Sequence, residues 1–507
     1  MTVEAQQFTA TANDLARKRS VHRALTAKIP AEKGQSAWEL SHSRPHPNLG
    51  DNQVLIETSY VALNPFDWQG VAFKYGIGEE AKVMGRDGAG VIVDVGKEVK
   101  RFKQGDRVWF CANSSASGTG AFQEYSVHSA SEIGHTPSHL TDEKAATLGT
   151  GLITAGVALF RTLGLSLDDL DPQRAAKQQQ RARAPRAGAD DAPWLLIWGG
   201  AGITGVYLIE LARLLGYRVI CSASPVNHEY VRSLGADVVL DRWSDPADLV
   251  KSIRKATNDN VRIAIDNVGG KTAALCHQVL RGSASWRKEN DVSVDSDDDT
   301  TPGQLVPLAG SPKEITTSSS DGSDSDAVRK VDSLRISFST TFYNHPEFSE
   351  ALLDKFDKLL ESESLTPARI RLVPGGLSGI ERGLEDLRHG RVPGGYKLVA
   401  RLSDTPDLGS LSGQAGGKKR SREEIEFENE EADGETQDDK SAEREEQTQA
   451  PSKKRTKTAD ASNGTVEAET VGSKRAKEEQ PDDKIPPTAE ANVQTTAQPP
   501  ARSAIVA

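Results

Sequence analysis

Apolar positions along this chain follow two rhythms. Up to about residue 165 they come in short β-rich runs, at Val21–Ile29, Val54–Val61, Gly90–Val95 and Arg107–Cys111, separated by Gly, Pro, Asn and Asp. Val95-Gly96-Lys97 and Gln104-Gly105-Asp106 read as turns, and helical spacing follows over Asp142–Leu148 and Thr150–Leu163. From Trp194 onward strand and helix patterns alternate. Strands are expected at Trp194–Trp198, Arg218–Cys221, Val238–Leu240 and Ile263–Ile265, and helices at Asn227–Leu234, Pro246–Thr257 and Thr272–Leu280. Later strand patterns cover Gln304–Ala309, Leu334–Ser339 and Lys397–Leu402, with helices at His345–Glu361 and Leu377–Leu387. This alternation predicts an α/β architecture with a parallel sheet covered on both faces.

The sharpest local signal is WLLIWGGAGITGVYLIELARLLGY, residues 194 to 217. An apolar run ends at Trp198, Gly200, Gly202 and Gly205 follow in G-x-G-x-x-G spacing, and an amphipathic helix begins at once and stops at Gly216. Strand, glycine turn and helix in that order form a cradle for a dinucleotide pyrophosphate. The glycines let the backbone approach the phosphates, and the helix N-terminus offers free N–H groups. Gly200, Ala201, Gly202, Ile203, Thr204 and Gly205 are therefore the candidate cofactor-binding turn.

An NAD site places a carboxylate about 20 residues past the first glycine. This chain has Cys221-Ser222-Ala223-Ser224 there, with Asn227, His228, Tyr230 and Arg232 just beyond. No acid stands there to repel a 2′-phosphate, and Ser222 and Ser224 offer hydroxyl donors, so the cofactor expected is NADPH rather than NADH. For His228 and Arg232 an ordinary solvated helix face is the alternative.

Composition bounds the rest. The 507 residues carry a net charge of −11, which gives no support to a nucleic-acid-binding core. Cys111, Cys221 and Cys276 lie far apart with no C-x-x-C pair, which fits a reducing, cytoplasmic setting. The N-terminus has no apolar core of a secretory signal, and no run of 18 apolar residues occurs, so no membrane span is expected. Residues 166–191 and 282–330 read as polar surface insertions. Residues 411–507 hold 15 Lys and Arg against 21 Asp and Glu, with Phe427 the one aromatic, and are expected to form a disordered charged tail. The basic clusters there, at Lys418–Arg420, Lys453–Lys457 and Lys474–Lys477, read either as nuclear-import signals bound by an import receptor or as solvating charge.

Taken together, ALNPFDW (62–68), VMGRDGAGVIVDVGKEVKRFKQGDRV (83–108), GAFQEY (120–125), AATLGTGLITAGVALF (145–160), WGGAGITG (198–205), SLGADVVLD (233–241), AIDNVGG (264–270) and GRVPGGYKLV (390–399) resemble the medium-chain dehydrogenase/reductase superfamily, in particular its metal-free fungal trans-enoyl reductase-like branch. The resemblance covers about residues 20 to 402 apart from the two insertions. It implies a GroES-like β-barrel domain over 20–165, completed by 345–402, and a doubly wound Rossmann domain over 192–344. It also implies action on a small-molecule substrate as a monomer or homodimer.

The resemblance also bears on chemistry. Metal-dependent members carry Cys where Asn64 stands, and Gly-His-Glu where this chain has Gly85-Arg86-Asp87, so no zinc is expected. Hydride addition to a C=C bond conjugated to a carbonyl needs no metal, only a donor for the developing oxyanion or for the α-carbon. Tyr75 lies eleven residues after Asn64, the separation at which related enoyl thioester reductases carry a tyrosine. It is the candidate donor, with packing in the mouth of the barrel as the alternative. Asn64 is expected to bind the carboxamide end of the cofactor or the substrate, or else to prepare the turn at Pro65. Asp67 and Trp68 are expected to shape the pocket. Thr150, Gly151 and Thr154 resemble the segment beside the nicotinamide, or else serve close helix packing. Asn267 lies in a glycine turn at the end of a strand, expected to meet the nicotinamide ribose. Cys111 and Cys221 show no flanking cation in the sequence, so neither is expected to act as a nucleophile. The expected activity is NADPH-dependent, zinc-independent reduction of an enone or enoyl thioester. A quinone reductase and a non-catalytic, NADPH-sensing nuclear protein are the alternatives.

Overall fold

Short alternating strands build the first half. In the computed structural model, which describes residues 21–30, 35–74, 77–113, 116–171, 192–292, 301–312 and 326–407, these are β1 (Val21–Ala27), β2 (Trp38–Pro45), β3 (Gln53–Ala62), β4 (Lys82–Val83), β5 (Asp87–Val95), β6 (Arg107–Cys111), β7 (Tyr125–Ser129) and β8 (Ile133–His135). β3 pairs antiparallel with β5 on one side and β7 on the other, and β5 continues through β6 to β8. β2, β1 and β4 form a separate small sheet, joined to this one at the bridge Ala24–Gln123. The inward faces enclose Ile56, Ile92, Phe110, Phe122 and Ile133, all fully buried. At Gly90 a side chain would run into the Glu57 backbone, so this glycine is what lets β3 and β5 lie close where their register shifts.

The second half is the expected parallel sheet. β9 (Trp194–Trp198), β10 (Arg218–Ala223), β11 (Val238–Asp241), β12 (Val261–Asp266), β13 (Gly303–Pro307) and β14 (Val331–Ser333) pair in the order β11-β10-β9-β12-β13-β14, every pair parallel. β9 sits centrally with all five residues buried, which is why its sequence is an unbroken apolar run. The chain leaves β9 toward β10 and later fills the other side with β12. The glycine turn after β9 therefore lies at the point where strand order reverses, the place where open α/β sheets bind ligands.

β15 (Arg369–Val373), the helix Ile380–Arg388 and β16 (Tyr396–Arg401) then return to the first half. β16 pairs antiparallel with β3, Val399 opposite Ala62, and so delivers Lys397 against the start of β5. Among the described residues no helix is long and apolar enough to cross a membrane.

Three expectations change. Leu334–Ser339 is not a strand: pairing ends at Ser333, and the apolar alternation Leu334, Ile336, Phe338 packs half-buried against the core before a π-helical turn at Ser339–Tyr343. Thr150–Leu163 is not one α-helix but Gly149–Gly156 running into a π-helical turn, Val157–Thr162. Parts of 166–171 and 282–330 join the fold. Leu170 is fully buried, Ala284–Glu289 is helical, and Arg287 and Arg329 are buried against Asp259 and the backbone around it. The remainder of both stretches and the whole of 411–507 lie outside the described residues.

Candidate active site

The glycine turn has the shape its sequence promises, with the strain shifted by one residue. Gly199, not a glycine of the motif, takes the left-handed backbone, φ +80°. Its N–H donates to Ser222 Oγ (3.0 Å), and Gly200 N–H donates to the Ser222 carbonyl (2.8 Å), so the end of β10 fastens the turn. A Cβ on Gly200 would press on Cys221 (2.9 Å), and one on Gly205 would meet the Gly199 carbonyl. Gly202 differs: a Cβ there would meet only Gly199 O, at 3.3 Å. Gly202 is exposed and caps the helix Ile203–Leu214 without a side-chain partner, so the first-turn N–H groups and the open space above Gly202 form the cradle.

A cavity of about 640 Å³ begins at Gly202, Ile203 and Thr204 and reaches Asn64, Arg86, Thr150, Thr154, Asn267 and Lys397. Its size falls within the ordinary range for small-molecule sites. Among the described residues three buried polar atoms of its lining lack partners, on Asn64, Asn267 and Arg86. Asn64 Oδ1 accepts from Lys397 Nζ (2.5 Å), leaving Asn64 Nδ2 free, and Asn267 Nδ2 donates to the Trp198 carbonyl (3.1 Å), leaving Asn267 Oδ1 free. One spare donor and one spare acceptor suit a carboxamide and a ribose hydroxyl, so the residues present fit a nicotinamide nucleotide.

Asn64 also starts the helix Pro65–Ala72, where its own N–H donates to Asp67 Oδ2 (2.8 Å). Burial pushes the Asp67 carboxyl up to about 7, with the neighbouring Asp87 adding to the effect. Thr150 donates to Asp87 Oδ1 through both its N–H (2.7 Å) and its hydroxyl (2.5 Å), so helix placement and cavity lining fall to the same residue. Gly151 carries no side chain because one would strike Ile203 and Tyr207.

The candidates past β10 are partly committed. Ser222 is buried and holds the turn; Asn227 is buried and accepts from Arg369 (2.9 Å). His228 Nε2 donates to the Ala223 carbonyl (3.0 Å), and Tyr230 stacks under the Arg369 guanidinium at 3.9 Å. Ser224 remains half-exposed at this edge. Tyr75 lies outside the described residues.

Several residues escaped the sequence reading. Lys397 Nζ bonds Asp87 Oδ2 at 2.8 Å, the two side chains 3% and 0% exposed, and it touches Asn64 from 333 residues away. Arg86 lines the cavity between Phe66 and Phe338, its guanidinium carbon 5.1 and 4.6 Å from the two ring centres, and donates to the Tyr343 hydroxyl (3.1 Å). Arg242 follows β11, is exposed, and its N–H donates to the Ala223 carbonyl. Only the motif GRD hinted at Arg86; the others needed the fold. Arg86 also corrects the reading of Cys111. A cation does stand by this thiol, yet burial outweighs it and holds the thiol pKa above its ordinary value. Burial likewise pushes Cys221 up to about 12.

Zinc does not fit here. Among the described residues no three His, Cys, Asp or Glu side chains gather to hold a metal. At the motif position the chain places an amide, a guanidinium and a carboxylate already paired with an ammonium.

Comparison with known proteins agrees with this geometry. Residues 50–138 match the family model for the alcohol dehydrogenase GroES-like domain, and residues 204–284 the model for the zinc-binding dehydrogenase domain. The chain is 30% identical over 384 residues to the trans-enoyl reductase buaC of Petromyces alliaceus, covering 74% of this chain and 96% of that protein. It is 30% identical over 391 residues to the trans-enoyl reductase resD of Aspergillus sclerotiorum, 75% of this chain and 100% of that protein. Among solved structures, a mycobacterial protein in complex with NADPH superposes with a TM-score of 0.54 at 22% identity, covering 75% of this chain and 99% of that one, a likeness of fold. The chain belongs to the medium-chain dehydrogenase/reductase superfamily, in the trans-enoyl reductase-like branch of these NAD(P)H-dependent oxidoreductases.

Proposed function

We propose that this protein reduces a C=C bond conjugated to a carbonyl, taking hydride from NADPH. The observation that carries the proposal is the single cavity that joins the cradle at Gly202–Thr204 to two fixed cations, Arg86 and Lys397, where zinc-dependent members hold a metal. The trans-enoyl reductases it resembles support the same substrate class.

The nicotinamide supplies the hydride. The chain's own residues orient and polarise. Asn64 and Asn267 offer the spare donor and acceptor for the carboxamide and ribose. Lys397 holds Asn64 in place and is itself held by Asp87. Leu308, Ile336, Phe338 and Leu398 give the cavity apolar walls that keep water from the reacting bond.

The preference for NADPH rests on the edge after β10. Ser224 is half-exposed there, and the exposed Arg242, whose N–H donates to the Ala223 carbonyl, lays its guanidinium over the Trp243 ring. The nearby Asp241 carboxylate is turned to the Trp243 N–H (3.0 Å).

Stopped-flow oxidation of NADPH against enones and enoyl thioesters tests the reading. Turnover with saturated product, together with a change in emission of the buried Trp198 when NADPH binds, is expected. Quinone turnover with a semiquinone signal and no enone turnover would replace it with a quinone reductase. NADPH binding without turnover of any panel member would favour a sensing role.

A further inference from the structure

Arg86 is a buried cation with little to do in the protein itself. It is 9% exposed, and its charge sits between the rings of Phe66 and Phe338. A guanidinium carries five N–H donors. Its Nη2 donates to the Tyr343 hydroxyl, while its Nε is buried with no partner among the described residues. The adjacent Asp87 carboxylate favours the charge but makes its hydrogen bonds elsewhere: Oδ2 is taken by Lys397, and Oδ1 by Thr150. Tyr343 in turn donates to the Ala112 carbonyl (2.8 Å), which holds the phenol in place as an acceptor for Arg86. A desolvated cation with a spare donor on the wall of a cavity is costly unless a further acceptor comes to it.

We infer that Arg86 is a catalytic residue that donates to the conjugated oxygen of the substrate and carries the negative charge that gathers there. The inference rests on the reductase reading above and deepens it. When hydride adds to the β-carbon, a C–H bond forms, the C=C π bond breaks, and its electron pair moves through the carbonyl onto oxygen. Hydride loss leaves NADP⁺, and the enolate then takes a proton at the α-carbon from solvent that reaches the site after the hydride step, which restores the carbonyl and leaves hydroxide to the buffer. Arg86 meets the charge in the middle of this sequence with a donor set that needs no reorganisation, its guanidinium held between the two rings. A guanidinium stays protonated throughout, so it acts by electrostatics and not by proton transfer. The same arrangement predicts selectivity: weakly activated acceptors, which place the most charge on oxygen, depend on Arg86 most.

The test has two arms, each run on the full chain carrying Arg86→Gln or Arg86→Lys and on the wild type. In the first, kcat is measured over a series of enones of graded electrophilicity alongside the NADPH dissociation constant. R86Q is expected to lose about 10²–10³ in kcat, most with the weakest acceptor, with NADPH affinity within about twofold; R86K is expected to recover part of the loss. In the second, 4-nitrophenolate serves as an enolate mimic, titrated with and without NADP⁺ and read by its absorption shift. Wild type is expected to bind it and R86Q to bind at least about tenfold more weakly. Equal phenolate binding by R86Q, or kcat kept within about threefold, overturns the role. A uniform loss across the enone series, together with lost NADPH binding, marks Arg86 as structural and also overturns it. If wild type turns over no enone and yet binds phenolate through Arg86, the reductase reading falls while the anion site stands.

Discussion

At the scale of single residues, the site is governed by which charges have partners. Lys397 and Asp87 are a fully buried pair, and burying one ion without the other is far worse than burying both. Lys397→Met alone is therefore expected to cost about 3–5 kcal/mol in urea unfolding, because it strands the Asp87 carboxylate. Adding Asp87→Asn to the same chain should recover part of that loss; a double variant no more stable than the single one would show that the pair is not coupled. Arg242 is the candidate proposed for the other end of the cofactor. Arg242→Gln is expected to weaken NADPH binding about tenfold, roughly 1.4 kcal/mol, while NADH binding stays level; calorimetry with both coenzymes checks it. Equal losses for the two would remove Arg242 from the 2′-phosphate.

At the scale of elements, the strand–turn–helix unit separates the glycines that serve packing from the one that leaves space for a ligand. Gly205→Ala places a methyl group against the Gly199 carbonyl and is expected to destabilise the fold by about 1–3 kcal/mol. Gly202→Ala keeps an ordinary backbone, φ −67° and ψ 153°, and meets only one atom at 3.3 Å. It is expected to leave the melting temperature nearly unchanged and to reduce NADPH affinity sharply, since the methyl group fills the open space where a pyrophosphate would lie. Thermal melts beside cofactor titrations separate the two glycines. The stretch after β14 carries a similar lesson. Leu334, Ile336 and Phe338 alternate like a strand, but with the pairing ended at Ser333 all three pack half-buried instead, and Ile336 and Phe338 line the cavity.

At the scale of the whole molecule, the seam between the nucleotide-binding sheet and the returning segment is expected to weaken as pH rises. Glu210, on the helix after the glycine turn, accepts from the Thr366 N–H (3.1 Å) and is buried, which pushes its carboxyl up to about 8. Between its unfolded value near 4.5 and about 8 the native state holds a proton that the unfolded chain has lost, so this group's contribution falls as pH rises through that window. Urea unfolding at pH 6 and pH 9 is expected to show Glu210→Gln close to wild type at the lower pH and more stable at the higher. A variant no more stable than wild type at pH 9 would contradict the sign. The relatives match over 96–100% of their own length but only 74–75% of this chain. Deleting residues 411–507 is accordingly expected to leave melting temperature and turnover intact, and imaging of the truncated and full chains would show whether the tail's basic clusters direct nuclear entry.

The chain's own order of residues determined the parallel sheet, the glycine cradle and the first half's short strands, because each depends on neighbours within a few positions: an apolar run long enough to be buried on both faces, glycines at fixed offsets, a helix that starts where they end. The lack of zinc ligands was equally legible, since Asn64 and Arg86 are read directly from the motif positions. Only the tertiary structure decided what surrounds those two positions. Lys397 meets Asn64 across 333 positions and Tyr343 meets Arg86 across 257, contacts produced by β16 returning to β3 and by the π-helical turn that follows the stretch local periodicity reads as a strand. Ser222 shows the same limit in reverse. Its hydroxyl, offered by the sequence as a donor, is buried and accepts from the Gly199 N–H, because a buried donor takes the acceptor that folding brings to it.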